Sequence, residues 1–236
     1  MKIFRLFALS MLILTAQNLW ADDEYPSVHP SVTFIKANGE ETDSAQYAGS
    51  APIIGRFMAN PENVGDYTAN YEWRFSKEGE EEPYLIRYEE DTEYRFTDSG
   101  SHLIVLYAAF VKGNDTIPYR DETEPFRLVI SESRLEMPNA FSPNGDTFND
   151  VYKAKRGWQS LVEFHAAIYN RWGQKLYEWD DPAGGWDGKF NGVDVKQGVY
   201  FCEVKAKGAD GRKYHIRTDV NLLRTFNENG NSTVSE

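Results

Sequence analysis

The residues best suited to chemistry lie in one short segment, residues 141–150, with the sequence FSPNGDTFND. Four amide or carboxylate side chains surround a glycine there: Asn144, Asp146, Asn149 and Asp150. Carboxylate and amide oxygens suit a hard cation, so Asn144, Asp146 and Asp150 are candidate calcium ligands. The same residue types also build Asx-turns, in which the side chain accepts hydrogen bonds from nearby backbone N–H groups. A plain turn and a calcium-stabilised turn both stay open, while carboxylate catalysis is disfavoured because no histidine lies nearby.

Other reactive side chains form no recognisable catalytic or zinc pattern. The four histidines are His29, His102, His165 and His215, and no HxH or HExxH spacing occurs. We expect His102 and His165 to have surface roles. The single cysteine, Cys202, lies in an alternating apolar strand pattern that predicts a buried free thiol. Since no GxSxG motif occurs either, the sequence predicts a protein that is not an enzyme.

Residues 1–21 have the organisation of a secretory signal peptide. Lys2 and Arg5 form a basic start, residues 6–16 are apolar, and Ala16 and Ala21 offer cleavage sites. The apolar run is shorter than the roughly 20 residues that a membrane-spanning helix needs. Export with cleavage is therefore preferred to an N-terminal anchor, and no transmembrane segment is expected after cleavage.

The formal net charge of −12 is distributed unevenly along the chain. Residues 22–133 contain nine basic and 23 acidic residues, a net charge of −14, whereas residues 134–236 contain fourteen of each sign. Two regions with such different surfaces predict two domains. An acidic, exported chain argues against nucleic-acid binding, which requires basic surfaces.

The elements expected to position these residues are short strands separated by turn signals. In YEWRFS, Tyr71, Trp73 and Phe75 share one face, which is the period of two expected of a half-buried strand. The apolar run SHLIVLYAAFV ends at KGND and resumes as TIPYR, which favours a central strand and a turn over a helix. No helical periodicity persists beyond two turns after residue 21. We therefore predict an all-β fold of two tandem antiparallel β-sandwiches.

Residues 22–133 resemble an immunoglobulin-like sandwich, in particular the PKD type. The resemblance rests on YEWRFS and on DTEYRFTDSGSHLIVLYA, where an acidic turn precedes a glycine and a strongly apolar strand. It implies an N-terminal sandwich of the binding or adhesion type.

Five motifs in the second half occur in a fixed order: MPNAFSPNGDTFNDVY (137–152), IYNRWGQKLYE (168–178), GGWDGKFNG (184–192), QGVYFCEV (197–204) and VNLLR (220–224). Together they resemble the gliding-motility-associated C-terminal domain, the type B sorting domain of the type IX secretion system. The resemblance implies a small antiparallel β-sandwich over residues 134–225 that serves as an export signal, followed by a flexible tail at 226–236. The sorting-motif or structural residues are then Pro138, Asn139, Phe141, Pro143, Asn144, Gly145, Asp146, Asn149, Asp150, Arg171, Trp172, Gly173, Trp186, Asp187, Gly188, Gly198, Tyr200, Leu223 and Arg224.

The implied function is that of a non-catalytic exported protein of the cell surface or outer membrane. Its expected partner is the secretion or envelope-assembly machinery, with other surface proteins or glycans as further candidates. One alternative is a structural envelope-assembly subunit that retains both domains. The other is a calcium- or carbohydrate-binding module, with calcium as its only cofactor and four tryptophans stacking on sugars: Trp158, Trp172, Trp179 and Trp186. Arg171 would stack on a tryptophan or pair with Asp187.

Overall fold

The computed structural model describes residues 25–119 and 125–224. The predicted signal peptide at 1–21 and the predicted tail at 226–236 lie outside the described residues. The regular elements of the described chain are β-strands, which confirms the all-β prediction. In that part of the chain no helix has the length and apolar character needed to cross a membrane.

Residues 25–119 and 125–130, here called the N-terminal unit, form a two-sheet sandwich. Its strands are β1 (Ser27–Val28), β2 (Ser31–Lys36), β3 (Glu41–Asp43), β4 (Gln46–Gly49), β5 (Ile53–Met58), β6 (Pro61–Glu62), β7 (Thr68–Lys77), β8 (Leu85–Arg87), β9 (Thr92–Phe96), β10 (Gly100–Lys112), β11 (Asp115–Tyr119) and β12 (Phe126–Ile130). One sheet has the order β3-β2-β5-β9 and the other β4-β12-β10-β7-β8, with β11 also paired to β10. The apolar run of the sequence is thus a central strand followed by a hairpin, as predicted.

An aromatic core lies between these two sheets because the strands alternate with a period of two. Tyr71, Trp73 and Phe75 point inward from β7, as the sequence pattern predicts. The ring of Phe57 on the opposite sheet lies 5.7 Å from Trp73 and 5.4 Å from Phe75. Such tilted and edge-to-face contacts add to the free energy gained by burying the rings. Two facing sheets around this core give the unit an immunoglobulin-like architecture.

Residues 135–224, here called the C-terminal unit, are built on one five-stranded sheet. The strands are β13 (Ala140–Phe141), β14 (Leu161–Tyr169), β15 (Lys175–Trp179), β16 (Lys189–Phe190), β17 (Val193–Asp194), β18 (Gly198–Gly208) and β19 (Lys213–Leu222). The sheet order is β13-β19-β18-β14-β15, and β16 and β17 form a separate two-stranded sheet. The segments that carry Tyr152 and Trp186 lie between strands and cover the inner face of the sheet. An isolated antiparallel bridge between these two residues joins the segments. A second core forms beneath this cover.

Most strand pairs are antiparallel, and two are parallel. β4 runs parallel to β12, and β13 runs parallel to β19. In each pair a short edge strand meets a partner that is distant in sequence, which parallel pairing requires. Residues 131–134 connect the two units, and the predicted domain boundary between residues 133 and 134 falls in this connection and stays a prediction.

His102 is buried, so its predicted surface role is wrong. β10 begins at Gly100, which places His102 in the inward register together with Ile104, and only 2% of its surface is exposed. Its Nε2 lies 2.8 Å from the Asp98 carbonyl oxygen, and its Nδ1 lies 2.9 Å from the Tyr84 hydroxyl. Because a carbonyl only accepts, the neutral ring donates from Nε2 and accepts the Tyr84 hydroxyl at Nδ1.

We expect the stability of the chain to fall when His102 becomes protonated. Burial lowers the pKa of His102 below its ordinary value of 6.5, and the Lys77 ammonium 3.0 Å away opposes a second positive charge. The unfolded chain therefore binds more protons than the folded chain, so stability is complete above about pH 6.5 and decreases as the pH falls below it. Urea unfolding at about pH 7.5 and about pH 5.5, a range in which exposed carboxylates stay ionised, measures the difference. The difference should shrink in His102→Gln; an equal loss in both proteins would contradict this assignment.

Candidate functional site

The sequence motifs of the C-terminal unit gather at one end of its sheet. β18 and β19 pair from Gly198 opposite Leu222 to Lys207 opposite Lys213, so their hairpin at residues 208–212 closes the other end. β14 runs from Leu161 at the hairpin end to Tyr169, which pairs with Phe201. The RWG turn, the start of QGVYFCEV and the finish of VNLLR therefore lie together. We call this the motif end of the unit.

The segment 141–150 is a turn whose side chains bind its own backbone. Asp150 Oδ1 accepts hydrogen bonds from the N–H groups of Asn144 and Gly145 at 2.9 and 2.8 Å, and its Oδ2 accepts one from Thr147 at 2.8 Å. The bond from Gly145 is the main reason why the pKa of Asp150 is lowered. Asp146 Oδ1 accepts from Phe148 N–H at 2.9 Å in the same manner. The bond from Phe148 to Asp146 is an Asx-turn, whereas the three bonds to Asp150 close the loop from its far end. Gly145 has the left-handed φ of +83° that this loop needs.

Calcium binding by Asn144, Asp146 and Asp150 stays a prediction. The side-chain oxygens of this turn accept backbone hydrogen bonds, which gives the segment a defined shape through its own groups. Among residues 25–119 and 125–224, no group of three or more His, Cys, Asp or Glu side chains is arranged to hold a metal ion.

Trp186 is the aromatic centre beneath the motifs. Its side chain is fully buried, and its Nε1 donates to the Lys189 carbonyl oxygen at 2.7 Å. Its backbone forms a two-way bridge with Tyr152, with nitrogen-to-oxygen distances of 2.8 and 3.0 Å. The rings of Phe141 and Tyr200 lie 5.3 and 5.1 Å from its ring. Trp186 therefore joins three of the quoted motifs into one core.

Arg224 ties the surrounding loops together. Its guanidinium donates to three backbone carbonyl oxygens: Val195 at 3.1 Å, Pro143 at 3.3 Å and Gly188 at 2.8 Å. It also lies 3.4 Å from Asp194 Oδ1. A planar group with five N–H donors is suited to this task, because a single ammonium could not reach all three carbonyls. The last arginine of VNLLR is thus a structural residue of the motif end.

The remaining motif residues form hydrogen bonds around the motif end. The Pro138 carbonyl oxygen accepts a hydrogen bond from the Tyr152 hydroxyl at 2.9 Å. The Asn139 carbonyl oxygen accepts one from the Asn221 N–H at 2.9 Å. Leu223 N–H donates to the Phe141 carbonyl oxygen at 3.0 Å, which extends the parallel pairing of β13. The Tyr200 hydroxyl donates to the Lys196 carbonyl oxygen at 2.6 Å. Val195 and Asp194 also belong to the motif end, although the motif pattern alone did not identify them.

The RWG turn presents the most exposed aromatic ring of the motif end. Asn170 Oδ1 accepts the N–H groups of Trp172 and Gln174 at 3.0 and 3.1 Å, and Gly173 has a φ of +79°. The Trp172 side chain is 78% exposed, and the Arg171 guanidinium lies 5.0 Å from its ring centre. Arg171 therefore stacks on a tryptophan, which was one of the two alternatives, while Asp187 Oδ1 accepts the Lys189 N–H at 3.1 Å.

A sugar platform made of four tryptophans is excluded by their burial. Trp179 and Trp186 lie in the core, and Trp158 packs against that core. Of the four, Trp172 alone is largely exposed, at 78%, so they cannot share one exposed surface. The platform hypothesis is wrong because alternate strand residues and the covering loops place these rings on the inside.

Cys202 is a buried thiol, as its strand pattern predicts. It is 2% exposed on the inner face of β18, and it is unpaired. Burial raises the pKa of Cys202 to about 11. The thiol therefore stays protonated near neutral pH and is a poor nucleophile.

Comparison with known proteins identifies the C-terminal unit. Residues 135–217 match the family model of the CHU_C type IX secretion signal domain. The match ends before Arg224, so the structural role of that residue is assigned from its hydrogen bonds and not from the family model. A comparison with curated proteins found no match.

Solved structures share only distant similarity with the chain. Dimeric latent PorU from Porphyromonas gingivalis aligns at 12% identity and a TM-score of 0.25, over 86% of this chain and 20% of that chain. The DIP-gamma IG1+IG2 structure aligns at 9% identity and a TM-score of 0.26, over 86% of this chain and 98% of that chain. Chicken CNTN1 FN1–FN3 domains align at 10% identity and a TM-score of 0.26, over 79% and 76%. The chain spans about a fifth of PorU.

The five motifs, the core that three of them share around Trp186, and the family match all lie in the C-terminal unit. Residues 135–217 match the CHU_C type IX secretion signal domain, and this match supports a secreted protein that is sorted by the type IX secretion system.

Proposed function

We propose that the chain is a non-catalytic protein of the cell surface in which the C-terminal unit directs export and the N-terminal unit is the displayed, binding part. The observation that carries this proposal is the secretion-signal match at residues 135–217, together with the gathering of its motifs at one end of the sheet. The buried, protonated thiol of Cys202 supports a role without catalysis.

A binding role for the N-terminal unit is supported by its surface. Residues 22–133 have a net charge of −14, so this unit attracts basic partners and repels acidic ones. Beside the edge strand β8, Tyr88 is 68% exposed and Tyr84 is 39% exposed. Exposed aromatic rings on a charged surface are typical of contact sites between proteins.

The motif end is the surface that we propose for recognition by the secretion machinery. Trp172 is held out from the sheet by a turn with a defined geometry, and Arg171 stacks on its ring. A large ring on a rigid turn offers contact area with little loss of conformational entropy on binding. Other exposed apolar side chains near this end are Val199 and Phe201, at 51% and 43%.

Deletion of residues 134–236 tests the export role. We expect the truncated protein to accumulate in the periplasm, whereas the full chain reaches the surface and becomes accessible to an added protease or antibody. A truncated protein that still reached the surface would overturn the proposal.

The deletion also removes Ala209, which packs against the core of the N-terminal unit, so it could lower the stability of that unit. A point variant that leaves this contact intact completes the test. Trp172→Ala should lower surface delivery of the full chain several-fold and leave its melting temperature unchanged, since the ring is exposed. The matched control is Tyr88→Ala, which removes an exposed ring from the other unit and should not alter delivery. Equal delivery of both variants would show that the motif end is not the recognised surface.

A further inference from the structure

We infer that the two units form one rigid body, and that the connection between them is not a processing site. The N-terminal unit then remains joined to its signal domain after export. The inference rests on a set of contacts across residues 131–135 and on the hairpin at residues 208–212. The rigid joint concerns the folded chain alone. Only the retention of the signal domain after export depends on the proposed function.

Ser160 is the centre of the contact between the units. It is fully buried and has a φ of +49°, a conformation that non-glycine residues seldom adopt. Its N–H donates to the Ser50 hydroxyl, and its own hydroxyl accepts the Ala51 N–H at 3.2 Å. That hydroxyl also lies 2.8 Å from the hydroxyl of Ser131. Separating the units would break this whole set of hydrogen bonds and expose Ser160 to water, so the contact stabilises the joined arrangement.

Each residue of the connecting segment 131–134 forms a hydrogen bond with another part of the chain. Ser131 N–H donates to the Gly49 carbonyl oxygen at 3.0 Å, and the Glu132 carbonyl oxygen accepts Gln159 Nε2 at 3.1 Å. The Ser133 hydroxyl donates to Asp210 Oδ1 at 2.7 Å.

The end of the connection is held in the same way. Arg134 forms a two-way backbone bridge with Gln159 at 3.1 Å in both directions, and Leu135 is buried in the core of the C-terminal unit. A flexible linker would instead leave its backbone groups to water.

The hairpin at residues 208–212 inserts into the N-terminal unit. Ala209 is buried within the core of that unit, and its carbonyl oxygen accepts the Ser99 N–H at 3.0 Å. At Gly208 a Cβ atom would lie 2.1 Å from Ser133 Oγ and 2.3 Å from Ser133 Cβ. No side chain larger than hydrogen therefore fits where the hairpin meets the connection.

These contacts occupy the hairpin end of the signal domain. The motif end lies about ten residues further along β18 and β19, or roughly 30 Å away at the usual rise of a strand. The rigid joint thus leaves the motif end uncovered while the N-terminal unit is attached, and recognition needs no separation of the units.

The bond between Arg134 and Leu135 offers a direct test, because trypsin cleaves after arginine and the Arg134 side chain is 64% exposed. In the purified full chain we expect this bond to resist trypsin. Ser160→Ala removes a shared hydroxyl partner and should speed cleavage there by about tenfold, the factor that 1.4 kcal/mol of lost local stability produces. Gly208→Ala should speed it at least as much. Mass spectrometry of the fragments identifies this bond among other cleavages.

Ser44→Ala is the matched control, because Ser44 lies between β3 and β4, away from residues 131–135, and its hydroxyl donates to the Gln46 carbonyl oxygen at 2.7 Å. It should leave the cleavage rate unchanged. Calorimetry provides a second measurement, in which the original chain should unfold in one transition and Gly208→Ala in two. Rapid cleavage at Arg134 in the original chain, or two independent transitions in it, would overturn the rigid joint.

The exported product tests the second part. Mass spectrometry of surface-released protein should find the N-terminal unit and residues 135–224 in one chain. An N-terminal unit that ends within residues 131–135 would overturn retention of the signal domain. If no protein reached the surface at all, the proposed export role would fail, and the trypsin result on the purified chain would still decide the rigid joint.

Discussion

Replacement of Gly185 by alanine is expected to lower the free energy of unfolding by about 3 kcal/mol or more. A Cβ atom at this position would lie 2.3 Å from the Tyr152 carbonyl oxygen and 2.8 Å from Lys153 Cβ. The first of these atoms belongs to the backbone and takes part in the bridge to Trp186, so it cannot move aside without breaking that bridge. The central aromatic core of the C-terminal unit then loses its cover.

Urea unfolding followed by tryptophan fluorescence measures this loss. The control is Gly184→Ala, whose Cβ would lie 3.2 Å from the nearest atom, the Asp181 carbonyl oxygen. A shift of a few tenths of an ångström accommodates that contact, so the control should retain most of the stability. Equal stability of the two variants would contradict the assigned close approach between Gly185 and Tyr152.

The second large effect is expected for Arg224→Ala, which should cost about 2–4 kcal/mol of unfolding free energy. The substitution removes the common donor of three carbonyl oxygens, at Pro143, Gly188 and Val195. The loops that carry the motifs would lose their connection, and surface delivery should fall along with stability. Arg224→Lys should recover only part of the loss, because an ammonium lacks the planar set of donors.

Arg217→Ala is the matched control for this arginine. Arg217 pairs with Glu203 on the outer face of the sheet, and its side chain is 73% exposed. Exposed ion pairs of this kind contribute little to stability, so the control should change the free energy of unfolding by less than about 1 kcal/mol. Comparable losses in Arg217→Ala and Arg224→Ala would show that the three carbonyl bonds do not hold the motif end.

These two variants distinguish the structural motif residues from the recognition residue that we propose. Gly185 and Arg224 act inside the domain, and their loss should reduce export through unfolding. Trp172 is exposed on its turn, so its loss should reduce delivery without a change in melting temperature. A sorting signal that is recognised as a folded surface requires both kinds of residue.

The strand pattern could be predicted from the sequence because it depends on local alternation. Tyr71, Trp73 and Phe75 lie on one buried face as expected, and Cys202 occupies the inner face of β18. The five motifs were also sufficient to indicate a secretion-signal domain, which the match at residues 135–217 confirms.

Register and burial at strand ends could not be predicted in the same way. His102 was expected at the surface, but the start of β10 at Gly100 turns it inward against Tyr84 and Asp98. Trp179 and Trp186 were grouped with Trp172 because all are large aromatic residues. Their separation into core and surface depends on which loops cover the sheet, and no local pattern carries that information.

Alternation and ordered motifs are properties of neighbouring residues, so the all-β class and the sorting domain could be inferred from the amino-acid sequence. The role of each motif residue depends on tertiary contacts. Arg224 reaches the Pro143 carbonyl across 81 positions of sequence, and Ser160 meets Ser50 across 110. Such contacts form only when distant segments fold together, and they determine both the shape of the motif end and the joint between the two units.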